Sequence, residues 1–142
     1  MRAAEATRRL MTSADSTTRV FLVEDSAILT KLLVGLIEAE PGTRVVGRDD
    51  TAAGAIAGIV RERPDAVIVD LHLREGSGYD VLRALRGVQP QPVIIVLTNH
   101  TGASWRQAAL DGGAQHFFDK SSQIPLMLSV IRSLARGGGQ AP

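Results

Sequence analysis

The 142-residue chain has 44% hydrophobic and 22% charged residues, the usage of an ordinary globular domain, and its length suits one domain with a sizeable core. A formal net charge of +1 and the absence of cysteine exclude a basic nucleic-acid stripe, disulfides and thiolate metal sites. The longest apolar runs fall far short of the roughly 18 residues of a membrane span, and the N-terminus lacks the apolar stretch of a secretory signal. The expectation is a cytoplasmic protein with no membrane insertion and no direct nucleic-acid partner.

In chain order, residues 1–18 are rich in Ala, Thr, Ser and Arg and read as a flexible extension, in which the Arg8-Arg9 pair is a solubilising feature. RVFLV, from Arg19, is a first strand. Ile28, Leu29, Leu32, Leu33, Leu36 and Ile37 then recur at helical spacing until Pro41-Gly42 stops them. TRVVG (Thr43 to Gly47) is a second strand, followed by a helix with Ile56, Ile59 and Val60 on one face, ended by Arg63-Pro64. DAVIVD is a third strand ending in Asp70. Gly76 and Gly78 let the loop after it turn into a helix carrying Val81, Leu82 and Leu85. PVIIVLT is a fourth strand ending in Thr98, and SWRQAAL a short helix closed by Gly112-Gly113. AQHFFDK is a fifth strand ending near Lys120. Ser121 or Ser122 can cap a last helix with Ile124, Leu128, Ile131 and Leu134, and residues 137–142 form a flexible tail.

Five βα units whose strands are apolar on both faces predict an α/β, doubly wound, five-stranded parallel sheet of flavodoxin-like order 2-1-3-4-5 with five helices, spanning residues 19–136. Ligands of such sheets bind beyond the carboxyl ends of the strands, at the switch point between strands one and three. Strand one delivers Glu24 and Asp25 there, strand three Asp70, strand four Thr98 and strand five Lys120. Three close carboxylates repel unless a cation joins them. An all-oxygen ligand set favours Mg²⁺ or Mn²⁺ over zinc, and a backbone carbonyl such as that of His72 can complete the sphere. Lys120 and Thr98 then face a phosphoryl group on Asp70, the nucleophile of an aspartyl-phosphate.

VEDS, VIVDLHLREGSGYDVL, VLTNH and FFDKSS together resemble the receiver domain of bacterial response regulators, the CheY-like family. The resemblance covers the chain apart from its two tails. It implies an acidic pair at Glu24 and Asp25, a phosphoacceptor at Asp70, a hydroxyl switch residue at Thr98, an essential lysine at Lys120 and a switch aromatic at Phe117. It implies phosphotransfer from a histidine kinase phosphohistidine with Mg²⁺, and no enzymatic activity beyond the domain's own phosphotransfer and autodephosphorylation. Output would run through the face of the fourth helix, fifth strand and fifth helix, with Thr98 turning to the phosphoryl group and Phe117 following inward.

Ser121 and Arg74 stand where the family often has proline. His72 and His100, two residues after Asp70 and Thr98, are candidates for tuning the lifetime of the phosphoryl group. A zinc site of His72, His100 and His116 is disfavoured, since His116 sits within the last strand. Trp105 is a candidate partner contact. No output domain is expected in this chain; the alternative is a receiver fragment of a larger regulator or hybrid kinase. A haloacid-dehalogenase-like phosphatase is a further alternative, although His72 stands where that family needs a second aspartate.

Overall fold

The computed structural model describes residues 17–137. Its elements are β1 (Thr18–Val23), α1 (Ala27–Glu38), β2 (Thr43–Asp49), α2 (Ala52–Glu62), β3 (Ala66–Val69), α3 (Gly78–Leu85), β4 (Val93–Thr98), α4 (Ala103–Asp111), β5 (His116–Asp119) and α5 (Ile124–Gly137). All strand pairs are parallel and the sheet order is β2-β1-β3-β4-β5, as the alternating pattern predicts. The expected extension, apart from its last two residues, and all but the first residue of the expected tail lie outside the described residues. Thr18 belongs to the sheet rather than to the extension: it pairs with Thr43, and its N–H donates to Gly42 O at 2.7 Å. Gly137, expected in the tail, is the last residue of α5. No helix among the described residues is long and apolar enough to cross a membrane.

The strands alternate between two core layers, as the period of two requires. Phe21, Val23, Val67, Val69, Ile94, Val96 and Phe117 face the layer under α2, α3 and α4. Val20, Leu22, Ala66, Ile68, Ile95 and Leu97 face the layer under α1 and α5. Each fully buried large aliphatic contributes roughly 1.5–3 kcal/mol.

The helix faces correct several expectations. In α1, Leu33 and Ile37 are fully buried, but Ile28 is 85% and Leu32 52% exposed, because six apolar residues within ten positions cover more arc than the sheet can. In α2 the buried face is Ala52, Ala55, Gly58 and Ile59, and Val60 is exposed. Small residues serve there because Phe21 occupies the space: a Cβ on Gly58 would lie 2.6 Å from its ring, and one on Gly47 2.5 Å. The C-terminus of α2 turns at Arg63 in the left-handed region (φ 50°). The Arg19 guanidinium donates to the carbonyls of Glu62 and Arg63 at 2.6 and 3.0 Å, satisfying helix-end acceptors.

Ser26, Thr51 and Ser77 cap α1, α2 and α3 through their side chains. The expected serine cap of α5 is absent. Ser121 instead donates its hydroxyl and N–H to Asp119 Oδ1 at 2.7 and 2.8 Å, and α5 begins after Gln123. Asp119, a strong acceptor two residues earlier, competes for the same hydroxyl.

Candidate functional site

Sheet register brings the acids together. Val23 pairs with Val69, the Asp70 N–H donates to Val23 O at 3.0 Å, and the next residues of the two strands, Glu24 and Asp70, emerge side by side. Glu24, Asp25 and Asp70 each offer a carboxylate oxygen within 4.8 Å of the others. Glu24 and Asp70 are buried, whereas the Asp25 side chain is 30% exposed at the mouth. Lys120 arrives from the end of β5, its N–H bonded to Thr98 O at 2.9 Å. Its Nζ reaches Glu24 Oε1 at 2.9 Å and Asp70 Oδ2 at 2.5 Å.

The electrostatics follow from this crowding. Burial pushes the Glu24 carboxyl above the ordinary range, partly offset by bonds from Lys120 and from the Ser26 N–H. Burial opposes the charge of Lys120, yet its bonds to Asp70 and Glu24 outweigh that and raise its pKa above the ordinary lysine value. Three carboxylates against one ammonium leave an excess of negative charge on an all-oxygen donor set, which fits a hard divalent cation.

Helix α3 holds Asp70 from below. Gly78 N–H donates to Leu71 O at 2.9 Å, and a Cβ at Gly78 would lie 2.4 Å from Asp70 O. Close approach is therefore what this glycine provides, whereas Gly76, at φ 73°, makes the turn.

The acids and Lys120 line a cavity of about 350 Å³ together with Ser26, Leu29, His72, Asn99 and His100. Thr98 is fully buried, and its Oγ1 accepts the His100 N–H at 3.2 Å. Phe117 lies apart in the core, 6% exposed, with the Arg106 guanidinium carbon 5.5 Å from its ring centroid. The His72 N–H donates to Asp70 Oδ1 at 3.3 Å. His116 stacks on Phe118, and among the described residues the one cluster able to hold a metal is that of Glu24, Asp25 and Asp70.

A larger cavity, about 650 Å³, borders Glu24 and Asp25 from the β2 side, with Lys31, Arg48, Asp49 and Asp50 in its wall. Its extra acids are engaged elsewhere. Asp49 accepts from the Thr51 N–H and hydroxyl at 3.0 and 3.1 Å, and Asp50 forms a two-pronged pair with Arg74 at 2.9 and 3.3 Å. Arg74 thus ties the loop after Asp70 to the loop after β2, reinforced by its own N–H on Asp50 O at 3.0 Å. Sequence reasoning missed this pair and also Asn99, Ser26 and Leu29. A polar residue directly after Thr98 and the capping serine after Asp25 were the signals available for two of them.

A family model described as the response regulator receiver domain matches residues 20–132. The chain belongs to that family. It is 35% identical over 121 residues to the nitrate/nitrite response regulator protein NarP of Escherichia coli K12, covering 84% of this chain and 55% of NarP. It is 35% identical to a protein-glutamate methylesterase/protein-glutamine glutaminase of Symbiobacterium thermophilum, covering 80% of this chain and 32% of that protein. The receiver thus spans about half of one curated relative and a third of the other. Among solved structures, a LuxR-family two-component response regulator from Aurantimonas sp. SI85-9A1 superposes with a TM-score of 0.78 at 30% identity, over 85% of this chain and 86% of that one. Receiver domains bind Mg²⁺ at an acidic pocket and interact with histidine kinases or phosphotransfer proteins.

Proposed function

We propose that this receiver accepts a phosphoryl group onto Asp70 from the phosphohistidine of a sensor histidine kinase or histidine phosphotransfer protein. The observation that carries the reading is the convergence of Glu24, Asp25 and Asp70 on one another and on Lys120. An Asp70 carboxylate oxygen attacks phosphorus, and the P–N bond to the donor breaks. Its electron pair stays on the imidazole nitrogen, which takes up a proton, and the product is an aspartyl-phosphate.

Mg²⁺ or Mn²⁺, held by the carboxylates of Glu24, Asp25 and Asp70 and by the His72 main-chain carbonyl, would supply positive charge to the phosphoryl oxygens. Lys120 keeps its ammonium charged at neutral pH, since its pKa is raised, and fixes Asp70 Oδ2, leaving Oδ1, which accepts the His72 N–H at 3.3 Å, as the attacking oxygen. His72 and His100 line the cavity and tune the attack of water on the product. Alanine at both positions is expected to change the dephosphorylation half-life, and an unchanged value would remove that role.

Thr98 then turns its hydroxyl to the phosphoryl group and passes the change to the face of α4, β5 and α5, where a downstream protein binds. Phe117, buried in this structure, is the switch aromatic that follows Thr98 inward as the change passes to that face. The test is phosphotransfer profiling against the histidine kinases of the source cell. A stoichiometric, hydroxylamine-labile phosphate that is lost in Asp70→Asn supports the reading, and labelling that survives this substitution removes it. Turnover of p-nitrophenyl phosphate would support the phosphatase instead.

A further inference from the structure

Helix α4 buries Ala109 alone, and Gly102 at its start provides no side-chain cap. What orders its first turn is a run of four rings. His72 and His100 stack with centroids 6.0 Å apart at 21°. His100 meets Trp105 at 4.7 Å and 32°, and Trp105 stacks on Tyr79 of α3 at 6.1 Å and 13°. The far end is tied down, because the Tyr79 hydroxyl donates to the Trp105 carbonyl at 3.1 Å. The near end is open to the chemistry, because both imidazoles line the cavity of Asp70.

We propose that this stack is a relay from the pocket to α4, with Trp105 as its positioning residue; the proposal rests on the phosphoacceptor reading above. A phosphoryl group on Asp70 enters the volume whose wall includes His72 and His100. An imidazole that turns to donate to the anion, or yields to its bulk, gives up its stacking partner. Trp105 then loses the contact that holds it toward the pocket while keeping its bond to Tyr79. With one buried side chain opposing it, the first turn of α4 resettles around Tyr79. Trp105 is also 41% exposed, so a partner on this face meets the residue that moves. The element is a two-state one, biased by the ligand at one end and read at the other.

The test uses the full chain with Mg²⁺ and beryllofluoride, an aspartyl-phosphate mimic, followed by fluorine NMR for binding and amide NMR for α4. Trp105 is the single tryptophan of the chain, so its emission reports the near end directly. In the wild type, the mimic is expected to change Trp105 emission and to shift the α4 amides. In Trp105→Leu the fluorine signal of bound mimic persists and the α4 shifts are lost. Tyr79→Leu, which keeps the tryptophan, is expected to retain the emission change and lose the α4 shifts. A well-folded Trp105→Leu or Tyr79→Leu whose α4 amides shift as in the wild type would overturn the relay, as would bound mimic with unchanged emission in the wild type. Absence of any bound mimic in the wild type would instead overturn the phosphoacceptor reading, and the relay with it.

Discussion

Helices α3 and α4 leave the two neighbouring strands that carry Asp70 and Thr98, yet they are held in opposite ways. α3 buries Gly78, Val81, Leu82 and Leu85 and opens with a reciprocal capping box between Ser77 and Asp80. α4 buries Ala109 and starts without a side-chain cap. Its remaining anchors are the ring stack, the Arg86 guanidinium on Asp111 O at 3.2 Å, and Arg106 over Phe117. Of the two helices that follow the site's strands, α3 is therefore firmly anchored and α4 lightly. A switch needs this asymmetry: the carboxylates must stay in place for chemistry while a neighbouring element is free to change, and mobile elements come from the low-stability end of a fold.

The largest expected effect that sharpens the contrast is on the firmly anchored helix, α3. Leu82→Ala, removing a side chain 1% exposed, should cost about 3 kcal/mol of global stability in urea unfolding. Ala109→Gly, at the one buried position of α4, should cost about 1 kcal/mol, with faster amide exchange confined to that helix. A similar loss from both, or α4 amides protected as well as those of α3, would break the comparison.

Metal binding comes next. Mg²⁺ at a hundred times its Kd should stabilise the wild type by about 2.7 kcal/mol, and far less after Asp25→Asn. Amide exchange should slow in the loop between Asp70 and α3 and change little in α4.

Smaller still is the cap. Ser77→Ala should cost about 1 kcal/mol. Its partner Asp80 titrates below the ordinary 3.8, held down by the Ser77 N–H and then by Arg83. A depressed carboxyl stabilises the fold above its unfolded pKa and loses that contribution as pH falls through the folded value. Asp80→Asn should therefore flatten the acid limb of the urea midpoint against pH. The smallest effect is on the lightly anchored helix: Gly102→Ser should stabilise α4 by a few tenths of a kcal/mol, seen as slower exchange of its first amides.

What the sequence made legible was whatever depends on short-range pattern. Strands with both faces apolar predicted the parallel sheet and its order, and reading the residue at each strand end found Glu24, Asp25, Asp70 and Lys120. The helix faces were less legible. α1 carries more apolar residues than it buries, and α2 packs through Ala and Gly, which a pattern of large apolar side chains passes over. Asp119 took the serine that would have capped α5. The Arg74–Asp50 pair spans 24 residues, and the rings of His72, His100, Trp105 and Tyr79 come from two loops and two helices. Such contacts exist only once the strands are in register, and no spacing along the chain announces them.

The central claim is that Asp70 is the residue modified. Phosphorylation by a histidine kinase in Mg²⁺, borohydride reduction of the acyl phosphate and fragmentation of the tryptic peptide from Glu62 to Arg74 test it directly. The account predicts homoserine in place of Asp70, with Asp65 in the same peptide unchanged and no reduction product when Mg²⁺ is chelated. Homoserine at Asp65, or homoserine at Asp25 or hydroxynorvaline at Glu24 in the tryptic peptide from Val20 to Lys31, or labelling unaffected by chelation, would contradict it.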